Sequence, residues 1–290
     1  MIKKQAMCVM GSYLLLLLSV LLAVSDHALY HRAGEGDRFN PFLFTAVSSA
    51  AWVVLLLPGS NLLQLKRVEV LFGVLYGGVQ AMFLFFKMKA LSTGPVSVTS
   101  VVGNCSMILS TLFGIFAFAE IPSVPQIIGL CLIVLSVLLC VDSGSDMEMS
   151  RRWKIYCVLF FAFAASVGIV LKLFAAREAS GSNMMLVSAV TMAVLLLLLS
   201  FASRQPMVLH KSRGVLAVLC GIAGCCYNRI NVFLVGALPS VVFFPVFNGA
   251  VVLLSAVAGA VFYRERFSKK QVAGVFAGVA AILLLSGIFS

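Results

Sequence analysis

Ten long apolar segments, separated by short polar breaks, constrain this chain more than any other feature. The segments cover residues 6–29, 40–57, 70–91, 95–118, 124–141, 153–176, 183–202, 214–236, 239–262 and 270–289. A helix needs about 20 apolar residues to cross the hydrocarbon of a bilayer, and each segment is close to that length. The breaks carry residues that stop helices, such as Pro58 and Gly59. We therefore predict an all-α polytopic membrane protein with ten transmembrane helices.

The composition agrees with a chain that is solvated mainly by lipid. Hydrophobic residues make up 62% of it and charged residues 11%, whereas roughly a quarter of an average soluble domain is charged. The net charge of +11 lies in short clusters between apolar segments, such as Lys66-Arg67 and Arg151-Arg152. Such clusters contact lipid headgroups, so membrane lipids are predicted partners and nucleic acid is not. The eight cysteines form no CxxC pair or Cys/His cluster, and no metal site or cofactor is predicted.

The two halves of the chain resemble each other. Matched polar, proline and glycine positions recur 144 or 145 residues apart: Glu120/Glu265, Gln126/Gln271, Gly129/Gly274, Pro95/Pro239 and Asn104/Asn248. We predict a first five-helix repeat at 1–141, a linker at 142–152 and a second five-helix repeat at 153–290. Because five is odd, the second repeat enters the membrane from the opposite face. Two inverted repeats are an arrangement that suits alternating access.

The matched positions also form a motif. In both halves a helix ends in an acid, Glu120 or Glu265, a short polar turn follows, and Gln-x-x-Gly opens the next helix. Over 87–141 and 236–289 this pattern resembles the EamA-type transporters of the drug/metabolite transporter superfamily. The resemblance implies ten helices in two EamA-like repeats and a secondary transporter that exports small metabolites or drugs across the plasma membrane, here the cell inner membrane. It also implies transport without nucleotide hydrolysis.

Two other function classes stay open. A non-transporting membrane subunit or scaffold would carry scattered polar residues, whereas those of this chain concentrate in the central helices. An intramembrane enzyme would need an embedded Gly-x-Ser-x-Gly with a histidine, paired aspartates or an Asp-rich motif, and the sequence has none of these. No catalytic residue is therefore predicted, and the chain is not expected to be an enzyme.

The distribution of basic residues predicts the orientation. Five basic residues lie on the side of the termini and fourteen on the other side, in the breaks or near the ends of segments, while Lys172 and Arg229 lie deeper in apolar segments. The richer side is normally cytoplasmic, which places both termini outside. The family resemblance implies the opposite orientation.

Arg229 lies within the apolar run 214–236 and is the most unusual residue in the sequence. A guanidinium stays charged in essentially any protein environment, and a charge inside the membrane costs roughly 2.5–3.5 kcal/mol on insertion scales. The embedded cations Lys172 and Arg229 outnumber the embedded carboxylates, of which we count only Asp26. One interpretation is that Arg229 faces a central cavity and pairs with an anionic or carboxylate-bearing substrate. The alternative is a structural contact with Asp26 or with a backbone carbonyl.

The remaining candidates are polar residues at membrane depth. The predicted substrate contacts are Arg229, Asn228, Asn104, Asn248, Lys172 and Gln80. For the matched amides Asn104 and Asn248, hydrogen bonding to substrate and an interhelical hydrogen bond are equally open. Asp26 is the predicted coupling residue if protons drive transport. Glu120 and Glu265 are predicted to cap helices or close gates.

Two further features bear on metal binding and on contacts between helices. His27 and His31 are four residues apart and share a helix face, but no third metal ligand accompanies them. Gly274-x-x-x-Gly278 predicts a close-packing face. A homodimer through this helix stays open.

Overall fold

A computed structural model describes residues 2–34, 40–93, 96–140, 150–203, 206–262 and 269–285. Each predicted apolar segment corresponds to one helix. The helices are α1 (Ile2–Gly34), α2 (Pro41–Leu56), α3 (Arg67–Thr93), α4 (Val96–Phe118), α5 (Val124–Cys140), α6 (Arg151–Ala175), α7 (Gly181–Ala202), α8 (Lys211–Ala237), α9 (Ser240–Phe262) and α10 (Lys269–Leu285). Two 3-10 turns, Leu57–Gly59 and Leu62–Gln64, lie between α2 and α3. The prediction of an all-α fold is confirmed, and the described residues contain no strand.

Local sequence explains where α2 begins. The Asn40 side chain accepts hydrogen bonds of 3.1 Å from the backbone N–H groups of Phe42 and Leu43, and Pro41 occupies the first helical position. A capping amide followed by proline is a favourable start because the proline lacks an N–H that would have no partner there.

The end of α1 differs from the prediction. The helix continues to Gly34 rather than ending near residue 29. The polar run after residue 25 is helical because no proline or glycine interrupts it before Gly34. Asp26 and His27 therefore lie inside α1 and not at its end.

Six described segments are long and apolar enough to cross a membrane. They are Gly11–Gly34, Pro41–Gly59, Arg67–Thr93, Arg151–Ala175, Gly181–Ala202 and Lys211–Ala237. Shorter apolar helical stretches occur at Val102–Phe118, Val124–Leu139 and Ser240–Ser255. The chain is an integral, multi-pass membrane protein.

The first of two compact units comprises Met1–Phe85 and Leu173–Gly236. Its core contains large side chains that are less than 2% exposed: Phe44, Leu56, Tyr76, Met184, Met185, Leu196 and Leu234. The helices α2 and α8 approach closely, since a β-carbon on Gly221 would lie 2.6 Å from the carbonyl oxygen of Ser48. The Ser48 hydroxyl donates a 2.6 Å hydrogen bond to the carbonyl of Ala217, so packing and a hydrogen bond both join these helices.

The second unit comprises Phe86–Lys172 and Ala237–Ser290. Its helices α5 and α10 pack closely, because a β-carbon on Gly129 would lie 2.9 Å from Cγ of Leu285. In the same helix pair the Ser136 hydroxyl donates a 2.7 Å hydrogen bond to the carbonyl of Gly274. Gly129 and Gly274 belong to the two Gln-x-x-Gly motifs, so the motif has a packing role.

Gly278, one turn after Gly274, also lies inside the second unit. A β-carbon there would lie 2.6 Å from Oγ of Ser136 and 2.6 Å from Cδ1 of Leu253. This face of α10 is therefore occupied within the chain. A homodimer through α10 would have to use another face.

Each compact unit takes helices from both halves of the sequence. The long helices α3 and α6 cross from one unit to the other, at Phe85–Phe86 and at Lys172–Leu173. The predicted repeats, 1–141 and 153–290, are a different division of the chain and stay a prediction. Residues 142–149 of the predicted linker lie outside the described residues.

Candidate functional site

In the first unit, two asparagines of α8 connect this helix to its neighbours. Asn228 accepts a 3.3 Å hydrogen bond from the hydroxyl of Tyr76 on α3, and its Nδ2 donates 3.0 Å to the carbonyl of Gly224. Asn231 accepts a 2.6 Å hydrogen bond from the hydroxyl of Ser19 on α1. Both asparagines are buried, so these bonds fix the rotation of α8 about its own axis.

Two other sequence candidates lie in the same unit. Gln80 lies one turn after Tyr76 on α3 and is half-buried. Asp26 on α1 is also half-buried. Its backbone carbonyl accepts a 3.8 Å hydrogen bond from the thiol of Cys220 on α8. The Asp26 carboxylate does not pair with Arg229 among the described residues.

Arg229 itself is exposed. A β-carbon on Gly59, in the turn after α2, would lie 3.4 Å from both Nη1 and Nη2 of this arginine. No hydrogen bond or ion pair joins the guanidinium to any residue that the structure describes. The long side chain of Arg229 therefore extends to the α2–α3 turn.

The second unit has its own charged cluster. Nζ of Lys172, near the end of α6, lies 2.9 Å from Oε1 of Glu120, and both side chains are mostly buried. Glu120 also accepts hydrogen bonds from the backbone N–H of Ser240 at 2.6 Å and from its hydroxyl at 3.0 Å. Because Ser240 is the first residue of α9, Glu120 caps that helix as well as neutralising Lys172.

This cluster revises the charge count made from the sequence. Lys172 pairs with an internal carboxylate, so it adds nothing to the surplus of embedded cations.

Ala119, just before Glu120, has a φ of 51°, a left-handed conformation that costs a non-glycine residue roughly 1–2 kcal/mol. This turn ends α4 immediately before the carboxylate.

The matched amides Asn104 and Asn248 lie on α4 and α9, which pack against each other in the second unit. Both side chains are half-buried. Nδ2 of Asn248 donates a 2.8 Å hydrogen bond to the carbonyl of Phe244, four residues earlier in the same helix. That bond leaves the side-chain oxygen of Asn248 as an acceptor.

A further charged cluster, which sequence reasoning missed, surrounds Glu69 in the first turn of α3. This carboxylate is only 1% exposed. It accepts hydrogen bonds from the backbone N–H of Ser180 at 2.7 Å, from Nδ2 of Asn183 at 2.7 Å and from the backbone N–H of Lys66 at 3.1 Å. Glu69 therefore joins the start of α3 to the start of α7.

Glu69 lies in the wall of a polar depression of about 340 Å³ in the first unit. The depression is lined by Gly59, Asn61, Gln64, Lys66, Glu69, Glu178, Ala179, Ser180 and Asn183. Nζ of Lys66 donates a 2.9 Å hydrogen bond to the carbonyl of Glu178, and the N–H of Asn61 donates 2.9 Å to Oδ1 of Asn183. The turns before α3 and α7 are thus held together by several bonds.

Glu265, the matched partner of Glu120, and Pro95, which was predicted to open the fourth helix, lie outside the described residues. Within the described part of the chain, no three His, Cys, Asp or Glu side chains come together as a group that could hold a metal ion.

Residues 10–141 match the EamA-like transporter family. This part of the chain belongs to that family. A solved protein crystal structure superposes on this chain with a TM-score of 0.78, covering 94% of this chain and 96% of the other at 15% sequence identity. At that identity the likeness shows a shared fold. No curated protein matches the chain.

The EamA-like assignment confirms the family resemblance that the sequence motif indicated. The match of residues 10–141 supports a membrane transporter of the drug/metabolite type. The members of this family are transporters rather than enzymes. The matched region ends at residue 141, where the predicted first repeat also ends.

Proposed function

We propose that this EamA-like chain is a secondary transporter that exports small metabolites or drugs across the plasma membrane by alternating access. The observation that carries the proposal is the match of residues 10–141 to a family of transporters. The internal bonding of the two compact units supports it, because alternating access moves bodies that keep their own structure. Neither catalysis nor a cofactor is part of the proposal.

A metabolite comparison tests this function. Cells that overproduce the protein and cells that carry the empty vector would be grown in parallel, with solutes measured inside the cells and in the medium. An exporter lowers the internal level of its substrate and raises the external level. If no solute is redistributed across a broad screen, the transporter proposal fails. A solute identified in this way is then tested with purified protein in liposomes.

We propose Asn104 and Asn248 as substrate contacts. Removing one neutral hydrogen bond to a bound substrate costs about 1–1.5 kcal/mol, which corresponds to roughly a ten-fold loss. We expect Asn104→Leu and Asn248→Leu each to lower the transport rate at low substrate concentration by about ten-fold, with unchanged thermal unfolding. Gln64→Leu, which alters an exposed amide in the second 3-10 turn, serves as the control.

The opposite result would identify a structural role for these amides. If Asn104→Leu or Asn248→Leu lowered the unfolding temperature while the remaining folded protein transported normally, the amide would hold helices together. Asn228 already makes one such bond, which it accepts from Tyr76 of α3. As predicted contacts, Asn228, Lys172 and Gln80 are tested by the same pair of measurements.

Coupling to protons is proposed through Asp26. Asp26→Asn would then retain binding and exchange of substrate but lose accumulation driven by a pH gradient.

Arg229 was predicted to pair with an anionic or carboxylate-bearing substrate. Its exposed guanidinium makes no hydrogen bond or ion pair with a described residue, so it can bind an anion.

The orientation gives a separate prediction. From the count of five against fourteen basic residues, the α2–α3 turn should be outside and the α7–α8 loop inside. In a variant without the eight native cysteines, we expect Gln64→Cys to react with an impermeant thiol reagent on intact cells and His210→Cys to be protected. Both positions are exposed, so the reverse pattern would establish termini inside.

A further inference from the structure

The direction of the Arg229 side chain is set by its neighbours on α8. Asn228 and Asn231 are buried and hydrogen-bonded to α3 and α1, so they hold their side of the helix inward. Arg229 lies about 100° from Asn228 and about 200° from Asn231 around the helix axis. The arginine is therefore turned away from the hydrogen-bonded side, which agrees with its exposure.

The exposed face of α8 around Arg229 is apolar. Ile222 is 41% exposed and Phe233 is 56% exposed, and Cys226 between them is also exposed. These residues recur at the three- and four-residue spacing of one helix face. In a membrane-spanning helix such a face meets lipid, where an uncompensated charge is costly.

The arginine lies in the last third of α8, beside the α2–α3 turn. It lies eight residues before the end of α8 at Ala237, or about 12 Å along the axis. Its guanidinium lies beside Gly59, which also lines the polar depression around Glu69. Gly59 thus lies next to both the guanidinium and the polar groups of the α2–α3 turn.

The same turn exposes apolar side chains. Leu57 is 45% exposed, Leu62 is 54% exposed and Leu63 is 98% exposed, and the cations Lys66 and Arg67 follow directly. Exposed leucines next to basic residues are typical of segments that lie in the headgroup region of a membrane. The turn therefore places Arg229 at headgroup level rather than in the hydrocarbon centre.

We propose that Arg229 and the bare backbone at Gly59 form a binding site for the phosphate group of a membrane phospholipid. A guanidinium offers two parallel N–H donors, which match phosphate oxygens. The acyl chains of the same lipid would cover Ile222 and Cys226, which precede Arg229 on the same face of α8. Phospholipid is always present at this level, whereas a soluble carboxylate would have to cross the exposed leucines. This lipid site is independent of the proposed transport function.

Native mass spectrometry of the purified protein tests the site directly. The protein is titrated with phosphatidylglycerol and, separately, with diacylglycerol, which lacks the phosphate. A basic residue near the membrane surface contributes an attraction equivalent to about five-fold in affinity. We expect Arg229→Gln to weaken phosphatidylglycerol binding about five-fold and to leave diacylglycerol binding unchanged. Arg177→Gln, at an exposed arginine in the α6–α7 turn, should match the wild type.

A second variant keeps the arginine and closes the site. A β-carbon at Gly59 already approaches the guanidinium to 3.4 Å, so Gly59→Leu should cover it and weaken phosphatidylglycerol binding as Arg229→Gln does. Unchanged lipid binding in either variant overturns the proposal, as does an equal loss in Arg177→Gln. Both variants are first checked for a native elution volume, and either one alone decides the question.

A competition arm identifies the source of the anion. Millimolar inorganic phosphate or succinate should leave bound phosphatidylglycerol in place. Displacement of the lipid by succinate would overturn the lipid proposal and favour an anionic solute at Arg229. Because no transport is measured, a negative result here leaves the transporter proposal to its own test.

Discussion

Replacing Lys172 by methionine is expected to lower the free energy of unfolding by about 3 kcal/mol. Removing one partner of a buried ion pair leaves the other charge without compensation, and such losses are typically about 3–5 kcal/mol. Glu120 keeps its two hydrogen bonds from Ser240, which places the expected loss at the lower limit. Unfolding in mixed detergent micelles measures it.

Lys154→Met is the matched control for this prediction. Lys154 belongs to the same helix but is exposed, so its replacement should change stability by less than about 0.5 kcal/mol. The double variant Lys172→Met with Glu120→Gln should recover part of the loss, because no buried charge remains. Equal stability of Lys172→Met and Lys154→Met would show that the ion pair contributes nothing.

The second large effect is expected at Glu69. Glutamine has the same shape as glutamate, but its N–H₂ group would face donors that bind the carboxylate in the native protein. Each buried donor that loses its acceptor costs about 1–3 kcal/mol. We expect Glu69→Gln to lower the free energy of unfolding by about 2–4 kcal/mol and to speed hydrogen exchange at the N–H of Ser180.

Glu178→Gln provides the comparison. Glu178 lines the same depression, but its side chain is exposed and Lys66 binds its backbone carbonyl rather than its carboxylate. Its replacement should be nearly neutral. If the two variants unfold alike, Glu69 is not the residue that holds the starts of α3 and α7 together.

Hydropathy predicted the helices well because each membrane crossing must be about the same length. Nine of the ten described helices begin within three residues of the predicted position, and α1 begins four residues earlier. The end of α1 was missed because Asp26 and His27 are polar but not helix-breaking. Polarity showed where hydrophobic residues stop, and the helix continued beyond that point.

The site was predicted less completely. Glu69 follows Lys66 and Arg67 at the start of a helix, where an acid is normally exposed, and only the tertiary structure brings Ser180 and Asn183 to it. Asn228 and Arg229 were judged by depth in the membrane. Depth does not give the direction of a side chain around the helix, and that direction separates a buried amide from an exposed guanidinium.

The make-up of the first compact unit has a consequence for how the protein is made. Its early helices α1 and α2 leave the ribosome well before α7 and α8, which complete the same unit. During synthesis these early helices must wait in the bilayer while α4, α5 and α6 are inserted. The hydrogen bonds from Ser19 of α1 and Tyr76 of α3 to Asn231 and Asn228 of α8 cannot form until α8 has been made. Assembly of the unit is therefore a late event, and its hydrogen bonds form after most of the chain has entered the membrane.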